Sequence, residues 1–304
     1  MSRNYWGLDL GGTKIEVVVT DEASVPLVRR RIATEAHRGY HHLLARIRLL
    51  LEQVSGESGY PIPLCIGMGT PGQYDLEIGQ IRNSNTICLN GRDLKRDLEE
   101  LLHREIVIEN DANCFALAES KLGSGSACMQ KPGKTAFGII LGTGVGGGLV
   151  CNGQLIHGAH GIAGEWGHNE LIHDGDACYC GRKGCVETVI SGPALERYYF
   201  TLTGVFKPLE EIATIVNVDP AAGKTISRLQ EYFGKALAAV INILDPDICI
   251  IGGGVGRIEQ LYAGETVRAI ERHLFNREFR IPLLQPGLGD SAGVFGAALL
   301  SHGR

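Results

Sequence analysis

No stretch of this sequence stays apolar for the roughly 18 residues a bilayer-spanning helix needs. The longest apolar tract, 136–150, is about half glycine and threonine. The first residues, 1–6, hold no apolar run of signal-peptide length. A cytoplasmic protein with no membrane partner is therefore expected. Proline is scarce, with 11 residues and no G-X-Y period, which excludes a collagen-like chain. Positive charge is the minority: 29 Lys and Arg against 34 Asp and Glu give a net charge of −5 and a pI of about 6.1. That balance argues against nucleic-acid recognition through a basic face. No low-complexity linker interrupts the chain. Nine cysteines in a cytoplasmic setting are not a disulfide framework. Six are scattered (Cys65, Cys88, Cys114, Cys128, Cys151, Cys249) and read as small buried hydrophobes. The other three, Cys178, Cys180 and Cys185, cluster.

What is abundant is glycine, with 42 of 304 residues, roughly twice the usual share. Hydrophobic residues at 44% and charged residues at 21% are the balance of a folded protein, and the length suggests two domains. Residues 5–10, 14–20 and 26–34 read as strands, 40–54 as a helix, 64–68 as a strand, 94–102 as a helix, 105–109 as a strand and 112–122 as a helix. The pattern then restarts. A strand over 136–141 is followed by a glycine turn over 142–148 and a strand over 148–152. A long helix (227–244), a buried strand (248–251) and another glycine turn follow, and an amphipathic helix over 293–301 could return to the first half. A strand–Gly-Gly–strand opening thus occurs twice, as in a duplicated α/β fold with a cleft between its halves.

The chemistry sits at the ends of these elements. Asp9, Gly11, Gly12, Thr13 and Lys14 place an acid, two glycines and a hydroxyl at a strand end. Glycines let backbone N–H groups approach phosphate oxygens, and Asp9 could hold a hydrated Mg²⁺; the alternative is an ordinary hairpin turn. Gly142, Thr143, Gly144, Gly146 and Gly147 repeat that chemistry. Neither stretch is a Walker A loop or a Rossmann fingerprint. Gly253 and Gly254 form a third turn, open either to an adenosine or to simple strand–helix reversal. Asn110 and Asp111 lie at a strand–helix junction, where one of them could be the N-cap or a carboxylate could accept a substrate proton. Cys178, Cys180 and Cys185 with His168 make a Cys₃His set suited to a closed, structural Zn²⁺. Gly181 and Gly184 permit its turns; His157, His160 and His173 compete as the fourth ligand. Glu165 and Glu187 flank this loop, as acceptors for sugar hydroxyls or as solvated acids.

Together, Asp9–Lys14, Glu109–Asn113, Gly142–Gly148, Glu165–His168 and Cys178–Glu187 resemble the ROK family (repressor, open reading frame, kinase) of the sugar kinase/actin/Hsp70 superfamily, over essentially the whole chain. The resemblance implies two ribonuclease-H-like α/β domains with an interdomain cleft, taking ATP and a hexose. The expected domains are 1–120, joined by the C-terminal helix 290–304, and 121–289 with the zinc loop. It implies Asp111 as catalytic base, zinc ligation by His168 and the three cysteines, and sugar contacts from Glu165, His168 and Glu187. Asn110, Asn83 and Asn85 are further sugar-binding candidates. The segments 83–91 and 165–169 look more like the fructokinase (mannokinase) version, so D-fructose is the expected substrate, with N-acetyl-D-glucosamine or glucose the alternative. The stretch between His168 and Cys178 departs from the fructokinase pattern by a few missing residues. A homodimer is implied by the resemblance alone.

Two rivals are weighed against a kinase. A sugar-sensing repressor needs a helix-turn-helix ahead of residue 5, and the first strand begins almost at Met1. A bare ATPase leaves the Cys₃His loop and its flanking glutamates without a purpose.

Overall fold

The computed structural model describes residues 3–302. Met1, Ser2, Gly303 and Arg304, which fall inside the expected domain limits, lie outside the described residues. The chain divides into two compact units. The first runs as far as Ser126, takes in Gln154–Ala163 and resumes at Gly287; the second is Ala127–Gly153 with Gly164–Pro286.

The first unit is built from β1 (Tyr5–Leu10), β2 (Lys14–Thr20), β3 (Pro26–Ala33), α1 (Tyr40–Ser58), β4 (Cys65–Thr70), β5 (Gln73–Asp75), β6 (Gln80–Arg82), α2 (Leu94–Leu102), β7 (Glu105–Asn110) and α3 (Asp111–Lys121). Its sheet has the order β3-β2-β1-β4-β7. The first three strands are antiparallel, whereas β1, β4 and β7 run parallel. Side chains alternate across a strand. Trp6, Leu8, Leu10, Ile15, Val17 and Val19 therefore join Leu43, Ile47, Leu50 and Val54 of α1 in one buried core. The opposite face of β1 carries Gly7. A Cβ there would lie 2.2 Å from the carbonyl of Val294, and one on Gly67 of β4 would lie 1.8 Å from that of Ala297. Those absent side chains let the last helix, α10 (Ala292–Leu300), lie directly on the sheet. The sequence predicts α10 as amphipathic. Instead Ala292, Val294, Phe295, Gly296, Ala297 and Ala298 are all buried, because the sheet covers one side and α3 the other.

The second unit follows the same plan. After α4 (Ser126–Met129) come β8 (Thr135–Leu141), β9 (Val145–Cys151), α5 (Val186–Ile190), α6 (Gly192–Thr203), α7 (Leu209–Thr214), α8 (Pro220–Leu244), β11 (Ile248–Gly252), α9 (Gly264–Glu271) and β12 (Leu283–Leu284); β10 (Gln154–Leu155) belongs to the segment grouped with the first unit. β8 and β9 form an antiparallel hairpin, and β11 and β12 add in parallel to β8. Several expected limits change; the helix expected over 40–54, for example, runs to Ser58. The glycine turn spans only 142–144, since Val145 already pairs with Leu141 and Gly146 and Gly147 are strand residues opposite Ile140 and Ile139. The long helix begins at Pro220, seven residues early, with the Asp219 carboxylate capping the N–H groups of Ala221 and Ala222.

Among the described residues, no helix is long and apolar enough to cross a membrane.

Candidate active site

In the first unit, the candidate groups gather at the C-terminal ends of β1 and β7. The hairpin after Asp9 is closed by the Gly11 N–H donating to the Lys14 carbonyl at 2.8 Å, and the Thr34 hydroxyl donates to the Gly11 carbonyl at 2.7 Å. Gly12 and Thr13 stand exposed at its tip. The Asp9 carboxylate is held where Cβ atoms on Gly69 and Gly293 would come within 3.2 and 3.3 Å. Burial, then the neighbouring carboxylates of Asp111 and Glu16, push its carboxyl up to about 7. A dication beside Asp9 would relieve that repulsion, so these residues fit the expected Mg²⁺.

At the end of β7, Asn110 is the N-cap of α3: its Oδ1 accepts the Ala112 N–H at 2.9 Å, and its Nδ2 donates to the Gly72 carbonyl at 2.9 Å. Asp111 is the first helical residue, and its Oδ1 also accepts from the Ala112 N–H. The sequence left the cap open between these two, and the cap is Asn110. Glu109, quoted only as part of the motif, is tightly engaged. It accepts from Asn113 Nδ2 at 2.9 Å and from the Asn110 N–H at 2.8 Å, and pairs with His157 Nδ1 at 2.7 Å. Burial raises its pKa, but those three bonds outweigh burial and leave it lowered; the Glu109 bond in turn raises that of His157. Asn83, in a left-handed conformation with φ 54°, and Asn85 are both exposed in the loop after β6. That loop is closed by Asn90, whose amide bridges Ser84 N–H and carbonyl.

In the second unit, the turn 142–144 is braced from outside its own hairpin. The Gly142 carbonyl accepts the Gly192 N–H at 2.8 Å, and Glu187 Oε2 accepts the Val145 N–H at 2.9 Å. A Cβ on Gly144 would lie 2.7 Å from that same oxygen. Gly146 and Gly147, grouped above with the phosphate loop, lie in β9: Trp166 Nε1 donates to the Gly146 carbonyl, and a Cβ on Gly147 would lie 2.8 Å from the Phe137 ring. Gly253, after β11, has φ +84° and a Cβ there would sit 2.1 Å from the Leu141 carbonyl, so the turn itself demands glycine. Gly254 has open space around its Cα.

Glu187 is on α5, two residues after its N-cap Cys185. The ligand atoms of His168, Cys178, Cys180 and Cys185 all lie within 4.8 Å of one another. Cys180 Sγ is 3.6 Å from Cys185 Sγ, and Cys178 Sγ is 3.5 Å from His168 Nδ1. A tetrahedral zinc with the usual bond lengths has edges of about 3.4–3.8 Å, so the donor set fits Zn²⁺. Cys180 is the readiest thiolate: burial opposes its ionisation, but hydrogen bonds from Arg182 and the two neighbouring thiols bring it down to about 6. The rival histidines are elsewhere engaged, His157 with Glu109 and exposed His173 with Glu170. The carbonyl of His160 accepts from Gln73 Nε2.

The other ring nitrogen of His168, Nε2, is 2.9 Å from the hydroxyl of Tyr179, whose ring meets the imidazole edge-on at 5.1 Å. Burial, then Glu187, raises the pKa of Glu165, against His168, which lowers it. Glu187 and Glu165 also act on the Tyr179 phenol, whose pKa burial raises first. Neither Tyr179 nor His157 was singled out in the sequence for these contacts. Each pairs with a residue 11 or more positions away, which periodicity does not report.

The family profile of ROK matches residues 5–304. The chain belongs to the ROK family. An N-acetylgalactosamine kinase, AgaK, of Shewanella sp. (strain ANA-3) is 35% identical over 313 residues, covering 98% of this chain and 97% of that protein. An N-acetyl-D-glucosamine kinase of Yersinia pseudotuberculosis is 35% identical over 308 residues, covering 97% and 98%. The crystal structure of a ROK glucokinase from Streptomyces griseus, in complex with glucose and AMPPNP, superposes with a TM-score of 0.80 at 29% identity, covering 98% of this chain and 99% of its own. These ROK relatives are sugar kinases along their whole length, and their mixed α/β fold is that of this chain.

Proposed function

We propose that this ROK protein is an ATP-dependent kinase of N-acetylhexosamines, with N-acetyl-D-glucosamine the first candidate. The observation that carries the reading is the full-length similarity to N-acetylglucosamine and N-acetylgalactosamine kinases, in a chain that holds a Cys₃His cluster beside Glu187. The same relatives favour the amino-sugar alternative over fructose, which rested on short segments only.

MgATP and the sugar are the two substrates. Asp111, at the start of α3, accepts the proton of the attacking sugar hydroxyl. Asn110, fixed as the cap, holds the strand–helix junction so that the Asp111 backbone cannot drift. Glu165 and Glu187 accept hydrogen bonds from sugar hydroxyls. The exposed backbone of the 11–13 and 142–144 turns faces phosphate oxygens, and Asp9 is the carboxylate for hydrated Mg²⁺. The phosphoryl transition state is loose, so positioning and charge stabilisation supply most of the rate. His168, Cys178, Cys180 and Cys185 hold Zn²⁺, which when bound staples the loop that carries Glu187.

The test is ATP turnover with and without hexose, with the phosphorylated product identified by phosphorus NMR. Turnover that is independent of sugar would refute the kinase reading.

A further inference from the structure

Glu16 is a carboxylate at 1% exposure that the mechanism above leaves without a role. Its direction follows from the register of the sheet. Along β2, Ile15 and Val17 join the core shared with α1, so Glu16 between them points to the opposite face, the one that α10 covers. On that face Glu16 stands directly opposite Asp9 of β1 and directly opposite Arg31 of β3. Arg31, Glu16 and Asp9 thus form one row across three neighbouring strands of the first unit. Opposite residues of an antiparallel pair have Cβ atoms about 4.5–5.5 Å apart, so the charge of Glu16 is fixed close to the Asp9 carboxylate.

Hydrogen bonds tie this row down. Glu16 Oε2 accepts from Arg31 Nη2 at 2.7 Å and from its Nε at 3.1 Å. Oε1 accepts from the Ser291 hydroxyl at 3.1 Å and pairs with Arg29 Nε at 3.4 Å, while Arg29 Nη1 donates to the Ser291 oxygen at 3.0 Å. Ser291 is the N-cap residue of α10. Two residues on, Gly293 closes over Asp9, where a Cβ would lie 3.3 Å from the carboxylate. Two carboxylates held side by side repel, and water does little to screen one so deeply buried. The fold offsets Glu16 with Arg31 and Arg29, which reach it from the edge strand and are themselves about half exposed.

We propose that Glu16 is a positioning residue for the magnesium ion of the nucleotide: acting through Asp9, it adds a second fixed negative charge to the field that holds the dication, and Arg31 sets how much of that charge is left. This rests on the reading of Asp9 as the carboxylate for hydrated Mg²⁺. The oxygens of Glu16 are engaged by Arg31, Arg29 and Ser291, so its contribution is charge at a distance and not ligation. The two ends of the row then act with opposite sign. Removing the charge of Glu16 leaves Arg31 facing Asp9 and weakens the hold on a dication. Removing Arg31 leaves Glu16 uncompensated and strengthens it. A role confined to packing would weaken the site in both cases.

The test is calorimetric titration of ADP into wild type, Glu16→Gln, Arg31→Gln and Arg29→Gln, each with and without Mg²⁺. The quantity read is the factor by which Mg²⁺ tightens ADP binding. Expected is a factor about tenfold smaller in Glu16→Gln and about threefold larger in Arg31→Gln, whose charge stands one strand farther from Asp9 and closer to solvent. Arg29→Gln should shift it in the same direction as Arg31→Gln, and the sugar KM should stay unchanged in all three. Thermal melting reports whether each variant is folded. Should Glu16→Gln fail to fold, the sign in the arginine variants decides. A wild type whose ADP binding ignores Mg²⁺, an unchanged factor in folded Glu16→Gln, or a factor that fails to rise in the arginine variants overturns the proposal and leaves the kinase reading standing. Wild-type ATP turnover that is independent of sugar overturns the kinase reading itself.

Discussion

The two glycine turns, 11–13 and 142–144, open their units in the same way but are held by different means. The first is closed by its own strands and by Thr34 of the adjoining segment, and its acid, Asp9, comes from the strand that enters it. The second borrows its acid. Glu187 arrives from a helix, 42 residues beyond Val145, and bonds the N–H at the turn's exit. That helix is preceded at its N-cap by Cys185, one of the thiol-cluster residues. The same supersecondary device is thus self-sufficient in one unit and dependent on the Cys₃His loop in the other. Duplicated folds can diverge in this way: one copy keeps a local turn, and the other couples its turn to a binding loop.

The largest separation between the units should come from the base. Asp111→Asn should lower kcat by about 10²–10⁴-fold, the range for a lost general base, while leaving sugar KM nearly unchanged. Steady-state kinetics with saturating ATP reads this directly, and near-wild-type turnover would remove Asp111 from the mechanism.

Next comes the staple. Purified protein should carry about one Zn²⁺ per chain, and stripping it, or Cys180→Ser, should raise the sugar KM by roughly tenfold or more through loss of an ordered Glu187. The 11–13 turn is closed by its own strands and Thr34 and should be indifferent. Calorimetric titration with sugar and with nucleotide distinguishes the two, and equal losses for both ligands would contradict the asymmetry.

A smaller effect should distinguish the turns themselves. Gly144→Ala pushes Glu187 Oε2 from its bond and should cost about 1 kcal/mol, visible as a lower Tm. Gly12→Ala meets only Thr86 Oγ1 at 3.5 Å, an ordinary contact, and should leave the Tm alone. Equal shifts would show that Glu187 does not brace the second turn.

The smallest concerns the segment 154–163. His157 has a raised pKa, so its contribution is complete below about 6.5 and fades as pH climbs through the raised value. Glu109 has a lowered pKa, so its contribution holds above about 4.5 and fades as pH drops through the lowered value. The Tm difference between wild type and His157→Gln should therefore peak between about pH 4.5 and 6.5 and shrink as pH climbs through the raised His157 value. A difference that grows toward alkaline pH would contradict the pairing.

Much of this was legible before any coordinates. The doubled strand–turn–strand opening, the alternate residues Ile15, Val17 and Val19 of β2 facing one core and the C-x-C-x₄-C spacing each report a local geometry, and each is found. Three features were not legible, for physical reasons. Helix α10 is expected to be amphipathic, yet its run Ala292–Leu300 holds no polar residue and is covered by the sheet on one side and by α3 on the other, a second cover that local spacing does not report. The run Gly142–Gly148 reads as one loop, although its last three glycines are strand residues, and at Gly147 a side chain would collide with Phe137. Tyr179 sits in the middle of the cysteine motif, and spacing says nothing about which way a side chain between two ligands will turn.

The central claim is that this ROK kinase is built for an N-acetylated hexose. Its most direct test is a coupled ADP-release assay comparing N-acetylglucosamine with fructose at fixed MgATP. The account predicts a kcat/KM for N-acetylglucosamine at least about tenfold the higher, as one matched hydrogen-bonding group would give. A higher value for fructose would contradict it.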